Sequence, residues 1–373
     1  MDGPFKLSQF TTSGFVKMVP NPDYSGSPKP AISAFEELPF TSDSAEFNAL
    51  RSGELTIGYL PVQDFTQKNS VERQQGYSYS PWYAFAFTYF VYNFTNTSVG
   101  PIFKQLYFRQ AIQSLVNQPQ YIKAFMAGIG AVTNGSVPTF PAHNPFESPL
   151  EAKGQVYPYD PAKAVSLLKD DGWTVVPGGT SYCSRPGTAP GDCGAGIKDN
   201  QPATFALLYA SGSTVVTDGM EALKSAVKEN AGINLTLSEA PSAQVMGTVF
   251  NNCSPATPCN GWEFANWGGP GWTYLLDYLP TGEGLFATGA ASNAGDYSSA
   301  VDNSDIAATE TAPTHTAEIA AIFKYEDYIA KNLPVIWLPQ GPGQLTMYKS
   351  KLKGLVPQGI FNELYPQDYS FTS

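Results

Sequence analysis

Apolar residues follow helical spacing in some stretches and strand spacing in others, and Pro- and Gly-rich segments separate them. The clearest helix runs from Ala162 to Asp171. Asp160 can accept from its free first-turn amides, Pro161 suits the first helical position, and Gly172 suits a left-handed exit. Helices are also predicted over 44–53, with Gly53 as the stop, and over 108–117, where Phe108, Ile112, Leu115 and Val116 share a face. Others start at Pro119 and stop at Gly128, cover 218–231 with Met220, Leu223 and Val227 aligned, and cover about 316–332. Strands are predicted over 54–58, 204–210, 233–239 and 334–338, and residues 15–19 alternate weakly. Residues 21–26 form a turn cluster, and 129–159 read as a long Pro/Gly loop. The succession 204–210, 218–231, 233–239 is a β-α-β unit, so part of the chain is α/β. Residues 81–94, PWYAFAFTYFVYNF, are aromatic and β-prone. They fit a buried strand or a passage between two lobes.

Composition narrows the class. The chain has 373 residues, 42% of them hydrophobic, enough for one or two cores, with two favoured by length. Its net charge of −11, from 21 basic and 32 acidic residues with no basic run, lacks the cationic footprint of a nucleic-acid binder. The apolar run from Trp82 to Tyr92 falls short of the roughly 20 residues that a membrane helix needs. With 34 Gly, 31 Pro and 13% aromatics, the chain is loop-rich but globular. Only 14% of residues are charged, which suits a secreted protein.

The four cysteines form two local pairs, Cys183 with Cys193 and Cys253 with Cys259. Each pair brackets a turn-rich loop, and neither has C-x-x-C spacing. Two disulfides are expected, each stabilising by roughly 2–3 kcal/mol in the chain-entropy model. Such bonds persist in oxidising compartments, which places the protein outside the cytoplasm. No signal peptide opens the chain. Met1-Asp2 leads directly into GPFKL, as if inside a domain, so an export signal is expected to have left with a larger segment or by trimming.

His143 and His315 read as surface residues, and no metal site or cofactor is expected. No G-x-S-x-G, H-E-x-x-H, P-loop or dinucleotide fingerprint occurs, so no catalytic residue is assigned. A secreted glycoside hydrolase is the alternative of a different class. Its paired carboxylates leave no sequence signature, and the aromatic surplus would suit it.

Several segments resemble the family 5 extracytoplasmic solute-binding proteins of ABC transporters, which bind peptides, nickel complexes and other solutes. Gly3-Pro4-Phe5-Lys6-Leu7 followed by Asn21-Pro22-Asp23-Tyr24 resembles that family's GPF-x-L…NPDYW signature. Leu50-Arg51-Ser52-Gly53-Glu54-Leu55 resembles its L-x-x-G-E-I-D stretch, and Phe108-Arg109-Gln110-Ala111-Ile112 its VRQAI helix start. Tyr157-Pro158-Tyr159-Asp160-Pro161-Ala162-Lys163-Ala164, with Leu167-Leu168 and Gly172-Trp173, resembles YPYDPEKAKALL…GW and is the most specific match. Leu333-Pro334-Val335-Ile336 and Lys353-Gly354-Leu355-Val356 resemble LPVIPL…VKG. The likeness spans essentially the whole chain. The family carries roughly two hundred further residues before the GPF segment, its AIDR helix reads Leu115-Val116-Asn117-Gln118 here, and the Cys-bracketed loops look like insertions.

The resemblance implies an α/β, two-lobe fold of the type II periplasmic-binding-protein kind, present as the second lobe plus part of the first. Residues 1–92 and 336–373 would belong to the first lobe. Residues 93–335, with disulfide loops 183–193 and 253–259, would form the second. It implies non-catalytic binding of an oligopeptide- or oligosaccharide-class solute in an interlobe cleft that closes by a hinge, and delivery to an ABC transporter permease. The protein would be periplasmic or on the outer membrane face, lipid-anchored at full length. The missing first-lobe portion would be a partner, and without it solute binding would be weak or absent. The five Asn-x-Ser/Thr matches, at Asn93, Asn96, Asn134, Asn234 and Asn252, are read as chance in a bacterial family, with Asn93 at a crossover.

Residues 264–272 resemble the family's GWGADYPDP loop, which in peptide binders gives an acidic residue to the peptide's amino group. Here Gly268, Gly269 and Pro270 stand in that stretch, and the next carboxylate is Asp277. A buried ammonium needs a charged partner, so the stretch favours a neutral or aromatic-stacked solute. Expected ligand contacts are Trp267 and Trp272 by stacking, Asn266 by hydrogen bonding, and Gly268 beside them. Trp82, Tyr83, Tyr89 and Gln340, near the two crossings, complete the set.

Overall fold

The computed structural model describes residues 3–40, 42–140, 144–251, 253–269, 271–274, 279–356 and 364–372. His143, Asn252, Pro270 and Asp277, singled out above, lie outside the described residues. The chain forms two compact units, Met1–Ala84 with Pro342–Ser373, and Phe85–Gly341.

The first unit begins with an antiparallel sheet in the order β1 (Phe5–Phe10), β2 (Val16–Pro20), β3 (Phe35–Glu37). Helix α1 (Asp43–Ser52) follows where helical spacing predicts it. Ser42 Oγ accepts from Ala45 N at its start, and Gly53 leaves it at φ 81° with its N–H on the Ala49 and Leu50 carbonyls. Then come β4 (Ile57–Tyr59), α2 (Lys68–Gln75) and β5 (Tyr77–Trp82).

The second unit is built on β6 (Ala86–Tyr92), buried at every position except half-buried Thr88. Short helix α3 (Gly100–Phe103) and helices α4 (Leu106–Gln113), α5 (Gln118–Phe125) and α6 (Pro161–Asp170) follow. The helix expected over 108–117 ends at Gln113, and Asn117 instead caps α5, its Oδ1 accepting from Gln120 N at 3.1 Å. The cap read for α6 is present, with Asp160 Oδ1 accepting from Lys163 N at 2.9 Å. A small hairpin, β7 (Trp173–Thr174) and β8 (Tyr182–Cys183), precedes the β-α-β unit of β9 (Thr204–Ala210), α7 (Thr214–Ala231) and β10 (Asn234–Ala240). Ser213 starts α7 four residues before the predicted 218 by accepting from Val216 N. The unit closes with α8 (Ser242–Val249), β11 (Phe264–Asn266), β12 (Trp272–Thr273), α9 (Ala300–Glu310), α10 (His315–Asn332) and β13 (Val335–Leu338).

Its sheet runs β10-β9-β11-β6-β12, with β13 also on β6. Strands β9, β10 and β11 are mutually parallel, whereas β11, β12 and β13 each pair antiparallel with β6. The passages expected after 92 and after 335 fall beside β6 and β13, which are hydrogen-bonded to each other inside this unit. The 81–94 stretch accordingly divides into β5 of one unit and β6 of the other. The core is aromatic: Phe103, Phe108, Phe205 and Phe264 are essentially fully buried and mutually packed, with Phe103 and Phe264 ring centroids 4.5 Å apart.

Back in the first unit, β14 (Gln344–Lys349) inserts between β4 and β5, and β15 (Leu352–Lys353) pairs with β16 (Ser370–Phe371). Cys183–Cys193 and Cys253–Cys259 are both disulfide-bonded. Asn93, just past β6, ties the second loop to the sheet. Its Nδ2 donates to the Cys259 and Trp262 carbonyls (2.6 and 3.0 Å), and its Oδ1 accepts from Thr95 N, Thr95 Oγ1 and Asn96 N. Asn93 and Asn96 are both buried, so neither presents a surface amide.

Candidate functional site

The directions of the strands bring most of the predicted residues of the second unit to one edge of its sheet. In open sheets of parallel strands, ligands sit beyond the carboxyl ends of those strands. Here that edge carries Ala210 at the end of β9 and Asn266 at the end of β11. Because β6 runs against β11 and β13 runs against β6, Thr88 and Leu338 arrive at the same edge.

Tyr89, Trp267 and Gly271 form its most tightly knit part. The Tyr89 hydroxyl and Trp267 Nε1 each donate to the Gly271 carbonyl at 3.2 Å. The two rings meet edge to face, centroids 5.3 Å apart at 89°, and Phe250 packs on Trp267 at 5.2 Å. Burial holds the Tyr89 phenol well above its ordinary pKa, so it stays a neutral donor. The indole is half-buried and keeps part of its surface open. Gly268 and Gly269 turn the chain at φ 77° and 59°, and a Cβ at Gly268 would come within 3.0 Å of the Ala210 Cβ.

The polar candidates are engaged within the protein. Asn266 donates from Nδ2 to the Tyr89 carbonyl at 2.7 Å and accepts from Gly268 N at 3.1 Å. Gln340 pairs its backbone with Ala131, and its Oε1 accepts from Thr88 Oγ1 at 2.5 Å. Trp272 pairs with Phe87 across β12 and β6. Its buried Nε1 finds no hydrogen-bond partner among the described residues. Trp82 and Tyr83 belong to the first unit. Trp82 ends β5 opposite Gln344, with the Gly343 backbone against its ring, and Tyr83 is half-buried.

Sequence reasoning did not find the apolar notch at this edge, a cavity of about 50 Å³ between α5 and α7. Tyr121, Phe125 and Met126 line one side and Val216, Gly219 and Met220 the other, with Thr88, Asn266 and Leu338 at the sheet. Among the described residues no charged side chain lines it. Gly219 inside an otherwise regular helix was the one available signal. A larger hollow of about 500 Å³ lies within the first unit, where Glu37, Glu46 and Glu54 join Phe35, Tyr59 and Tyr369. None of the predicted ligand contacts lines it, and Glu46 already accepts from Tyr59 N at 3.0 Å.

Among the described residues no group of three or more His, Cys, Asp or Glu is arranged to hold a metal, and no helix is long and apolar enough to cross a membrane. His315 is exposed at the start of α10, 3.0 Å from Glu318.

The sequence pattern of bacterial extracellular solute-binding proteins, family 5 Middle, matches residues 2–272. A Brucella ovis protein named for ABC transporter peptide binding is 29% identical over 181 residues, covering 47% of this chain and 31% of its own length. Protein XP55 of Streptomyces lividans is 26% identical over 238 residues, 64% of this chain and 38% of its own. The chain thus matches about a third of the length of these relatives. Among solved structures, the oligopeptide-binding protein AppA of Bacillus subtilis, in complex with a nonapeptide, superposes with a TM-score of 0.70 at 16% identity, covering 100% of this chain and 66% of that one. NikA of Brucella suis, in complex with Fe(III)-EDTA, gives 0.75 at 17% identity, covering 100% and 68%. The fold is therefore the α/β fold of two-lobe periplasmic binding proteins, and the chain belongs to the family 5 bacterial extracellular solute-binding proteins.

Proposed function

We propose that this chain grips a solute without altering it and, as part of an extracytoplasmic, lipid-anchored binding protein, presents it to an ABC transporter permease. The first unit is assigned to the first lobe and the second unit to the second. The rest of the first lobe is the partner that completes the protein. The solute is of the oligopeptide or oligosaccharide class.

The observation that carries this reading is the convergence of Tyr89, Asn266, Trp267 and Gly268 beyond the carboxyl ends of parallel strands, beside an uncharged notch. Trp267 offers a half-open ring held by its neighbours, which costs little entropy to use. Trp272 and Gln340 extend the same surface, while Trp82 and Tyr83 are the first unit's own contacts to solute. The described residues of the Trp267 loop, 264–269 and 271–274, carry no carboxylate, and the exposed Glu239 at the end of β10 stands toward the first turn of α7 instead, so the preferred solute is neutral where it meets the Trp267 loop.

A thermal-shift screen on the complete protein, with the rest of the first lobe present, tests this with oligosaccharides, N-blocked peptides and free di- and tripeptides, using wild type and Trp267→Ala. The expected result is stabilisation by a neutral solute that Trp267→Ala loses. Strong stabilisation by free di- and tripeptides would refute the uncharged-loop reading. A stabilising solute that is insensitive to Trp267 would refute the site.

A further inference from the structure

We infer that the notch between α5 and α7 is a specificity pocket for a small aliphatic side chain of the solute, up to about the size of Val or Leu. The inference rests on the proposed binding edge and adds the chemistry of one part of the ligand.

Size comes first. A dry cavity of about 150 Å³ takes a benzene ring, and roughly 10–15 Å³ is needed for a single water. On that scale the notch, at about 50 Å³, takes about two carbons, which suits the paired methyls of a Val or Leu tip with the rest of the side chain at its open mouth, and is too little to enclose an aromatic ring.

Polarity points the same way. The thioether arms of Met126 and Met220, with Phe125, Val216 and Leu338, present carbon and sulfur. The two polar side chains at the sheet end are already engaged, the Thr88 hydroxyl with Gln340 and the Asn266 amide with Tyr89 and Gly268. The buried Tyr121 hydroxyl, which has no hydrogen-bond partner among the described residues, is the one polar group of the lining left for a solute to meet, and a charged group placed there would lose water and find no counter-charge among the described lining residues.

Gly219 keeps the notch open. It lies inside α7, where glycine lowers helix propensity. Nothing lies within 4 Å of a Cβ built on it, and its φ is not left-handed. Neither backbone strain nor packing requires glycine at this position, so a side chain there would simply occupy the notch. Each methylene that leaves water in such a pocket is worth roughly fourfold in affinity.

The test uses the 373-residue chain labelled with methyl-13C methionine, which gives six methyl signals because the sequence holds six Met. Met126 and Met220 report on the notch and the other four serve as controls. The probes are N-acetyl amino-acid N-methylamides of Gly, Ala, Val, Leu and Trp. The Met126 and Met220 signals are expected to shift saturably with Val and Leu, weakly with Ala, and negligibly with Gly or Trp. Gly219→Leu is expected to abolish the shifts, and Gly219→Ala to weaken them without lowering the melting temperature. Equal movement of all six signals, equal response to the Gly and Leu probes, or an unchanged response in Gly219→Leu would overturn the inference.

Trp267→Ala separates this inference from the reading it rests on. Retained notch shifts alongside solute binding that ignores Trp267 would sink the edge and keep the pocket. Trp267-dependent solute binding without notch shifts would sink the pocket and keep the edge.

Discussion

Asp302 gives a quantitative test of how this fold treats buried charge. It lies in the first turn of α9, its backbone N donating to Ser299 Oγ at 3.2 Å. Its carboxylate is fully buried, with neither oxygen hydrogen-bonded among the described residues. Lys324 pairs with Asp305 at 2.6 Å instead, while Tyr297 and Tyr325 bring no positive charge. Burial, with Asp305 adding to it, pushes the Asp302 carboxyl from 3.8 up to about 7. Between those values the folded state holds a proton that the unfolded state has released. The Asp302 contribution to stability therefore falls as pH rises from 3.8 to about 7 and is constant above that. A rise of about three pH units at about 1.4 kcal/mol each amounts to ~4 kcal/mol. Burial moves Glu151 and Glu326 in the same direction, so wild type keeps some slope without Asp302. Asp302→Asn preserves size and removes the charge. Denaturant titrations of wild type and variant from pH 4 to 8 should agree within ~1 kcal/mol at pH 4, with the variant more stable by a few kcal/mol at pH 8. An identical pH slope in the two proteins, or a variant weaker at pH 8, would refute the reasoning.

Asn93→Ala should cost about 2 kcal/mol or more, because it strands the buried Thr95 N–H and removes the donor to the Cys259 carbonyl, while the Trp262 carbonyl keeps Asn96 Nδ2; a loss under 1 kcal/mol in denaturant unfolding would contradict this. Replacing Cys183 and Cys193 together by Ala should lower stability by roughly 2–3 kcal/mol, the amount expected from opening a short loop. Both sulfurs are buried, so an unchanged unfolding midpoint would contradict that estimate.

The parts of the fold legible in sequence were those set by neighbouring residues. Asp160, Pro161 and Gly172 act within three turns around α6, and so does Gly53 at the end of α1. The β-α-β unit of β9, α7 and β10 was legible because its periods change cleanly from two to 3.6. The 81–94 stretch was ambiguous because nearly every residue is apolar or aromatic. Periodicity could not reveal that Trp82 and Ala86 end and begin strands of different units. β14 went unread because its partners β4 and β5 lie far away in sequence. At the site, the resemblance pointed to Trp267 and Asn266. Sequence could not show that Tyr89 and Trp267 share the Gly271 carbonyl, or that Tyr121, Met126 and Gly219 meet around a notch. Those relations arise only when α5, α7 and the sheet edge pack together.

The most direct measurement is a crystal structure of the protein with the solute that stabilises it. The account predicts intact, uncleaved solute in van der Waals contact with the Trp267 indole, beyond the ends of β9 and β11, with an aliphatic group in the notch beside Gly219. Solute lodged in the Glu37–Glu46–Glu54 hollow of the first unit, with Trp267 untouched, would contradict it.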